Sequence, residues 1–309
     1  MNFATIKSVR PRRFLTPEMR RTLTGLFFIS PWLIGFLIWT IYPLIASLYY
    51  SFHRYDLMRP PVYLGLTNYI DLFTKDPRIG KVTSNTLFYV GLSAPIGVVA
   101  AFLMASLLNT KIKFRSVFRA IFFFPSIVPI VVSATVWRFL LDPKWGAVNA
   151  TIRALRMSAI PFLSNPDWAK PTLIGIHIWA QGSAIVIFLA SLQEVPRSLY
   201  EAATVDGANS WQRFWNVTIP MCSPVILYNL IMAFIGGFQT FVLPYILTGG
   251  GPNLATEMYA MHLYRNAFTH LRMGKASAMA WILFIVIVTF TILLFKTSAR
   301  WVYYGGGEE

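Results

Sequence analysis

Two groups of residues in this 309-residue chain are equipped for chemistry. The first is a polar island, Glu201 to Pro220, reading EAATVDGANSWQRFWNVTIP between very apolar segments. Counting the residues just before it, its charges are Glu194, Arg197, Glu201, Asp206 and Arg213, which is close to neutral. The second is a scatter of polar and aromatic residues inside apolar segments: His177, Trp179 and Gln181, then Tyr228, Asn229, Phe238 and Gln239. Neither group is a catalytic constellation. No G-x-x-x-x-G-K-[ST] phosphate cradle occurs, because Gly80-Lys81 is followed by Val82 and Gly274-Lys275 by Ala276. No H-E-x-x-H is present, and His53, His177, His262 and His270 are too scattered for a metal site evident in sequence. Cys222 is the sole cysteine, so there is no disulfide framework and no C-x-x-C. The chemistry on offer is recognition: acidic and aromatic groups for a docking partner, amides and rings for a polar solute.

The elements that must position these groups are membrane spans. The chain is 56% hydrophobic and only 13% charged, against about 25% charged in an average soluble domain, and its mean hydropathy is +0.55. A span needs about 20 mostly apolar residues. Six such runs are found, roughly 25–52, 85–109, 118–141, 172–192, 221–247 and 276–295. The first follows a basic tail and is too long for a signal-peptide core, so it is expected to be retained. Pro31, Pro43, Pro95, Pro125, Pro129, Pro224 and Pro244 fall in or beside these runs and predict kinked, mutually packed helices.

The net charge of +15 points first to orientation, not to nucleic acid. Lys7, Arg10, Arg12, Arg13, Arg20 and Arg21 crowd the N-terminal tail, and Lys111, Lys113, Arg115 and Arg119 crowd the loop between runs two and three. Short basic loops face the cytoplasm, which puts both termini inside. The expected organisation is a cytoplasmic tail 1–24, a six-span domain 25–296 with a cytoplasmic loop 193–220, and a cytoplasmic tail 297–309. Segments 53–84, 142–171 and 248–275 then face outward.

Within the island, Pro196 suits a first helical turn, and Arg197 to Val205 is rich in helix formers. Gly207 suits the left-handed turn that ends a helix. Asn209 or Ser210 can cap a second helix carrying Trp211, Phe214, Trp215 and Ile219, and Pro220 starts the fifth span. A loop lying on an anionic membrane surface should be basic. This one is near neutral and aromatic, which suits a protein partner, with an amphipathic helix on the bilayer as the alternative.

The string E-A-A-x-x-D-G-A, followed after eight residues by V-x-I-P, resembles the EAA loop of permease subunits in bacterial binding-protein-dependent ABC importers. That family ends the pattern with I-x-L-P, from which Val217-Thr218-Ile219-Pro220 is a conservative departure. LTGGGPNLATE, Leu247 to Glu257, is similar to the segment after the fifth span of the carbohydrate permeases of the maltose and glycerol-phosphate type. The likeness runs from PWLIGF (Pro31–Phe36) to RWVYY (Arg300–Tyr304) and matches the shorter, six-span version. It implies an all-α type I importer bundle in a bacterial inner membrane. It also implies a second, similar permease partner forming a heterodimer, two ATPase subunits that hold ATP and Mg, and an extracytoplasmic substrate-binding protein. This chain would bind no cofactor itself. The residues matching the coupling motif are Glu201, Ala202, Ala203, Asp206, Gly207 and Pro220.

Polar residues inside spans are functional candidates by default. His177, Trp179, Gln181, Tyr228, Asn229, Phe238 and Gln239 are therefore the expected substrate pathway, with plain interhelical hydrogen bonding as the competing role. The outward segments carry Arg153, Arg156, Lys170, Arg265, Arg272 and Lys275. These could grip a binding protein, draw in an anionic sugar, or be solvated surface. An ion-coupled secondary transporter is the rival class. The spans offer it only His177 and neutral amides, where such proteins commonly carry ionisable groups.

Overall fold

The computed structural model describes residues 16–110 and 113–304. The tail cations Lys7, Arg10, Arg12 and Arg13, together with Lys111, lie outside the described residues. The chain begins with α1 (Pro17–Phe36) and α2 (Tyr42–Ser51), followed by β1 (His53–Arg54), β2 (Val62–Tyr63) and α3 (Thr67–Thr74). Then come α4 (Ile79–Asn109), α5 (Arg115–Ile127), α6 (Ile130–Leu140), α7 (Ala147–Ala154), α8 (Pro166–Trp179) and α9 (Gly182–Glu194). The rest is α10 (Arg197–Val205), α11 (Ser210–Arg213), α12 (Ile219–Phe238), α13 (Val242–Thr248), α14 (Tyr259–Tyr264) and α15 (Met273–Ser298). The all-α expectation stands apart from one small antiparallel ribbon, which pairs His53 with Tyr63.

Among the described residues, four helical stretches are long and apolar enough to cross a membrane: Arg21–Ser51, Ile79–Asn109, Ser210–Phe238 and Met273–Ser298. Two bent pairs raise the number to six if each is one span. Between α5 and α6 the axis turns by 102°. The cause is Pro129, which has no N–H to give and forces Val128 into an extended conformation with ψ 126°. Between α8 and α9 the bend is 45° and no proline is involved. There Gly182 lets α9 press on α5, since a Cβ at that position would lie 2.8 Å from Phe122 O and 2.9 Å from Ser126 Oγ. The fifth apolar run is also divided, because α12 stops at Phe238 and α13 restarts at Val242.

Proline does not always break these helices. Leu37–Ile41 and Phe214–Thr218 are wide π turns, and each is followed two residues later by a proline, Pro43 and Pro220. Tyr42 N–H bonds Leu37 O, and Ile219 N–H bonds Phe214 O, five residues back. A proline inside an α-helix collides with the carbonyl four residues before it. The wider turn moves that carbonyl away, so the helix continues. This corrects one expectation. Pro220 does not begin a separate span, and the island's second helix runs without interruption into the fifth, from Ser210 to Phe238.

The spans pack around α4. One apolar core lies toward segments 142–171 and 248–275 and joins Tyr89, Val90, Leu173, Ile176, Leu243 and Met258. A second lies toward the island and joins Val98, Phe102, Ile185, Phe188, Leu192 and Cys222. The breaks at 128–129 and 180–181 fall between the two. At that level α4 carries Ser93 and Gly97, with Ser93 fully buried. The α1 stretch is different, because its apolar window is 0% buried against the rest of the chain. Only its end is fixed, by α2 on α15, where Trp281 Nε1 donates to Ser47 Oγ at 3.2 Å.

Candidate functional site

The island folds as a hairpin of helices. Gly207 has φ +80°, its N–H bonds Thr204 O at 3.1 Å, and Ala208 N–H bonds Ala203 O at 2.9 Å. These bonds close the C-terminus of α10. Asn209 then opens α11 with a reciprocal cap: its Oδ1 accepts from Gln212 N–H at 2.9 Å, and its own N–H donates to Gln212 Oε1 at 2.8 Å. Helix α10 has no buried residue, and Glu201, Ala202, Asp206 and Gly207 are all exposed. Among the described residues neither Glu201 nor Asp206 forms an ion pair. Trp211 and Trp215 expose 68% and 52% of their surfaces, so the aromatic face is also open. An uncovered helix with two unpaired carboxylates beside two tryptophans is suited to dock a protein. Pro220, the last motif residue, lies inside the continuous rod.

The seven expected pathway residues do not form one cluster. His177 and Gln181 meet, with Gln181 Nε2 donating to His177 Nε2 at 2.8 Å. Gly97 makes room for that amide, since a Cβ there would stand 3.1 Å from it. His177 and Trp179 line a hollow of about 450 Å³ at the two helix breaks, together with Ser126, Ser133, Ser183 and Leu243. Trp179 meets Trp137 edge-on at 5.3 Å. Gln239 is exposed at the α12–α13 break. Asn229 and Phe238 stand elsewhere: Asn229 is buried and its Nδ2 donates to Val225 O one turn back at 2.9 Å, while Phe238 packs on Phe290 at 5.1 Å. Tyr228 is 52% exposed on the side of α12. The three serines of the hollow escaped the sequence reading, because serine in a membrane helix usually bonds its own backbone, as Ser126 does to Phe123 O at 2.7 Å.

A third group was not foreseen as a unit. At the ends of α4, α14 and α15 away from the island, Lys275 Nζ donates to Asp76 Oδ2 at 2.6 Å and His262 Nε2 meets the same oxygen at 2.9 Å. Glu257 is fully buried and takes Arg265 Nη1 at 2.8 Å. His262 Nδ1 lies 3.6 Å from that carboxylate. Burial pushes the Asp76 carboxyl up, but the bonds from Lys275 and His262 outweigh it and bring it down to about 2. Glu257 follows the same balance and is lowered. For His262, burial disfavours the cation, and the two carboxylates overcome this and raise it. Asn85 extends the cluster by donating to Leu254 O at 2.6 Å and Glu257 O at 3.0 Å.

This bears on the six cations expected to face outward. Arg265 and Lys275 are held by Glu257 and Asp76, and Arg153 binds Pro143 O at 2.7 Å and Lys144 O at 2.9 Å. Lys170 reaches Asn85 Oδ1 at 3.3 Å and sits 4.8 Å from the centre of the Phe88 ring. Among the described residues, Arg156 and Arg272 are the two of the six whose side chains meet neither a carbonyl nor another side chain.

Kinked spans around a polar hollow, with an uncovered helical hairpin at one end, are the architecture of a membrane permease subunit. The chain belongs to the family described as "Binding-protein-dependent transport system inner membrane component", which matches residues 94–303. It is 40% identical over 291 residues to the "Probable ABC transporter permease protein YesP" of Bacillus subtilis (strain 168), covering 93% of this chain and 94% of that one. It is 30% identical over 277 residues to the "Sulfoquinovosyl glycerol transport system permease protein SmoG" of Agrobacterium fabrum (strain C58 / ATCC 33970), covering 89% and 90%. Its fold is similar to that of a chain in a crystal structure of a bacterial alginate ABC transporter in complex with alginate pentasaccharide-bound periplasmic protein. The TM-score is 0.82 at 24% identity, over 92% of this chain and 96% of that one.

Proposed function

We propose that the chain is one of two similar permease subunits of an ATP-driven carbohydrate importer, forming half of the pathway and doing no chemistry itself. Helix α10 docks on a separate ATPase subunit, two copies of which hold ATP and Mg. Glu201 and Asp206 meet basic residues there, Ala202 and Ala203 allow close approach, and Gly207 and Pro220 set the direction of the hairpin. Both termini and the loop 193–220 are cytoplasmic, and an extracytoplasmic binding protein delivers the solute to the opposite face. The pathway includes the hollow at the helix breaks, where Trp179 offers a stacking face and His177 and the serines offer hydrogen bonds, with Gln181 holding the His177 ring. Gln239 stands at the third break, and Asn229, Tyr228 and Phe238 support the wall from α12. A carbohydrate substrate, including an acidic one, is supported by the likeness to SmoG, a sulfoquinovosyl glycerol transport system permease protein.

The observation that carries this reading is the uncovered α10 with its two unpaired carboxylates, in a chain that has no phosphate cradle. The test uses the co-expressed complex in proteoliposomes. Uptake should require ATP inside and the ATPase subunits, and Glu201→Lys should release those subunits. Uptake that follows a proton gradient without ATP would overturn the reading.

A further inference from the structure

Helix α10 is joined to the rest of the protein at two turns. One is Val195–Pro196, where Val195 is extended with ψ 121°. The other is Gly207 at φ +80°, with nothing within 4 Å of where a Cβ would stand. Val195 is itself buried in the island-side core and Pro196 has its φ fixed, while α10 has no buried residue of its own to hold it by packing alone. Two side-chain ties span the gap instead. Tyr200, projecting from α10, lies against the island-side core, and its hydroxyl meets Thr218 Oγ1 at 3.0 Å. Arg213 Nη1 reaches back from α11 to Thr204 Oγ1 at 2.7 Å, while its Nη2 holds Ser210 Oγ at 3.2 Å. Thr218 closes the π turn that leads into α12, so the Tyr200 bond links α10 to the start of the fifth span.

We infer that Tyr200 and Arg213 are positioning residues that lock α10 to the rod Ser210–Phe238, so that the docked helix and the fifth span move as one body. This rests on the proposal that α10 is where the ATPase docks. Tyr200 keeps its ring in the core while its hydroxyl supplies the tie, which separates packing from locking. Arg213 acts through two hydroxyls on either side of Gly207 and bridges the joint directly.

The test uses the assembled complex in nanodiscs with Cys222→Ser, and spin labels at Val205→Cys on α10 and Met232→Cys on α12, both exposed positions. Interspin distances are measured without nucleotide and with ATP plus vanadate. In the parent the distance distribution should be narrow and identical in both states. Tyr200→Phe with Arg213→Gln should at least double its width and make its mean depend on nucleotide, while the KM of the ATPase for ATP stays unchanged. Thr218→Val added to Tyr200→Phe should have no further effect, and Arg213→Lys should restore part of the narrowing. A distribution as narrow in the Tyr200→Phe, Arg213→Gln variant as in the parent would overturn the inference. Retention of the ATPase subunits by Glu201→Lys would instead overturn the docking assignment beneath it, so the two failures are told apart.

Discussion

Gly207 gives a quantitative handle on coupling. Its φ of +80° lies in the left-handed region, and no atom lies within 4 Å of a Cβ built there. Substitution therefore meets no steric wall, and the whole penalty is backbone conformation. That penalty is about 1–2 kcal/mol for an L-residue with a Cβ, least for Asn and greatest for a β-branched side chain. A difference of about 1.4 kcal/mol is about tenfold in an equilibrium constant. Gly207→Ala should thus lower the occupancy of the native turn severalfold, and Gly207→Val by about tenfold or more. Gly207→Asn should stay close to the parent. The complex should still assemble, since the proposed docking surface of α10 is unaltered. What should fall is the ratio of carbohydrate imported to ATP hydrolysed, in the order Asn, Ala, Val. Proteoliposomes loaded with ATP report both quantities. A Val variant that couples as tightly as the parent would refute the reasoning, because the turn would then be passive.

Other consequences concern the frame around the hollow. A Cβ on Gly274 would stand 2.0 Å from His53 O and 3.2 Å from Tyr50 O. Gly274→Ala should therefore force α2 away from α15 and lower the thermal midpoint of the purified protein, whereas Gly25→Ala, where nothing lies within 4 Å, should not. Glu257→Ala would leave Arg265 without its buried partner and should cost about 3 kcal/mol or more, read in the same melt. The Asp76–His262–Glu257 cluster also sets a pH window. Asp76, held at about 2, contributes about 2 kcal/mol that is complete above the ordinary carboxylate range and lost as pH falls through about 2. The raised His262 contributes fully below about 6.5 and ceases to contribute as pH rises through its folded value. The melting midpoint should peak between about pH 5 and 6.5; Asp76→Asn should flatten the acid limb and His262→Gln the alkaline one. Trp179→Ala should raise the KM for uptake by about tenfold, equivalent to a stacking contribution of about 1.4 kcal/mol, and an unchanged KM would remove this ring from the pathway.

The island was legible because its signals are local. A cap at Asn209, a left-handed glycine at 207 and helix formers from Arg197 to Val205 each act within a few residues, and all three appear where the spacing put them. The apolar runs were also readable as runs. Their interruptions were less so. Pro129 breaks its span by 102°, yet Pro43 and Pro220 are carried through π turns, and a single proline does not announce which will happen. The break before Gly182 has its cause in α5, some sixty residues earlier in sequence, and so could not be read locally. The same applies to the polar candidates. Asn229 and His177 look alike in an apolar run, but one is satisfied by its own helix and the other by the far side of a break. The charge cluster joins Asp76 to Lys275 across most of the chain, so only the fold shows that these charges belong to each other.

The π turn at Phe214–Thr218 also fixes an angular phase. Each residue of an α-helix advances the side chain by about 100°. A five-residue hydrogen-bonded step inserts one residue beyond the α repeat, so the faces before and after it are offset by about that angle. The tryptophans at 211 and 215 are thereby keyed to the faces that Asn229 and Phe238 occupy further along the same rod. Removing one residue from 214–218 would return the hydrogen bonding to the α pattern, but it would swing the docking face about a quarter turn relative to the bundle and set Pro220 against a carbonyl again. This stretch should therefore tolerate many side-chain exchanges and no change of length.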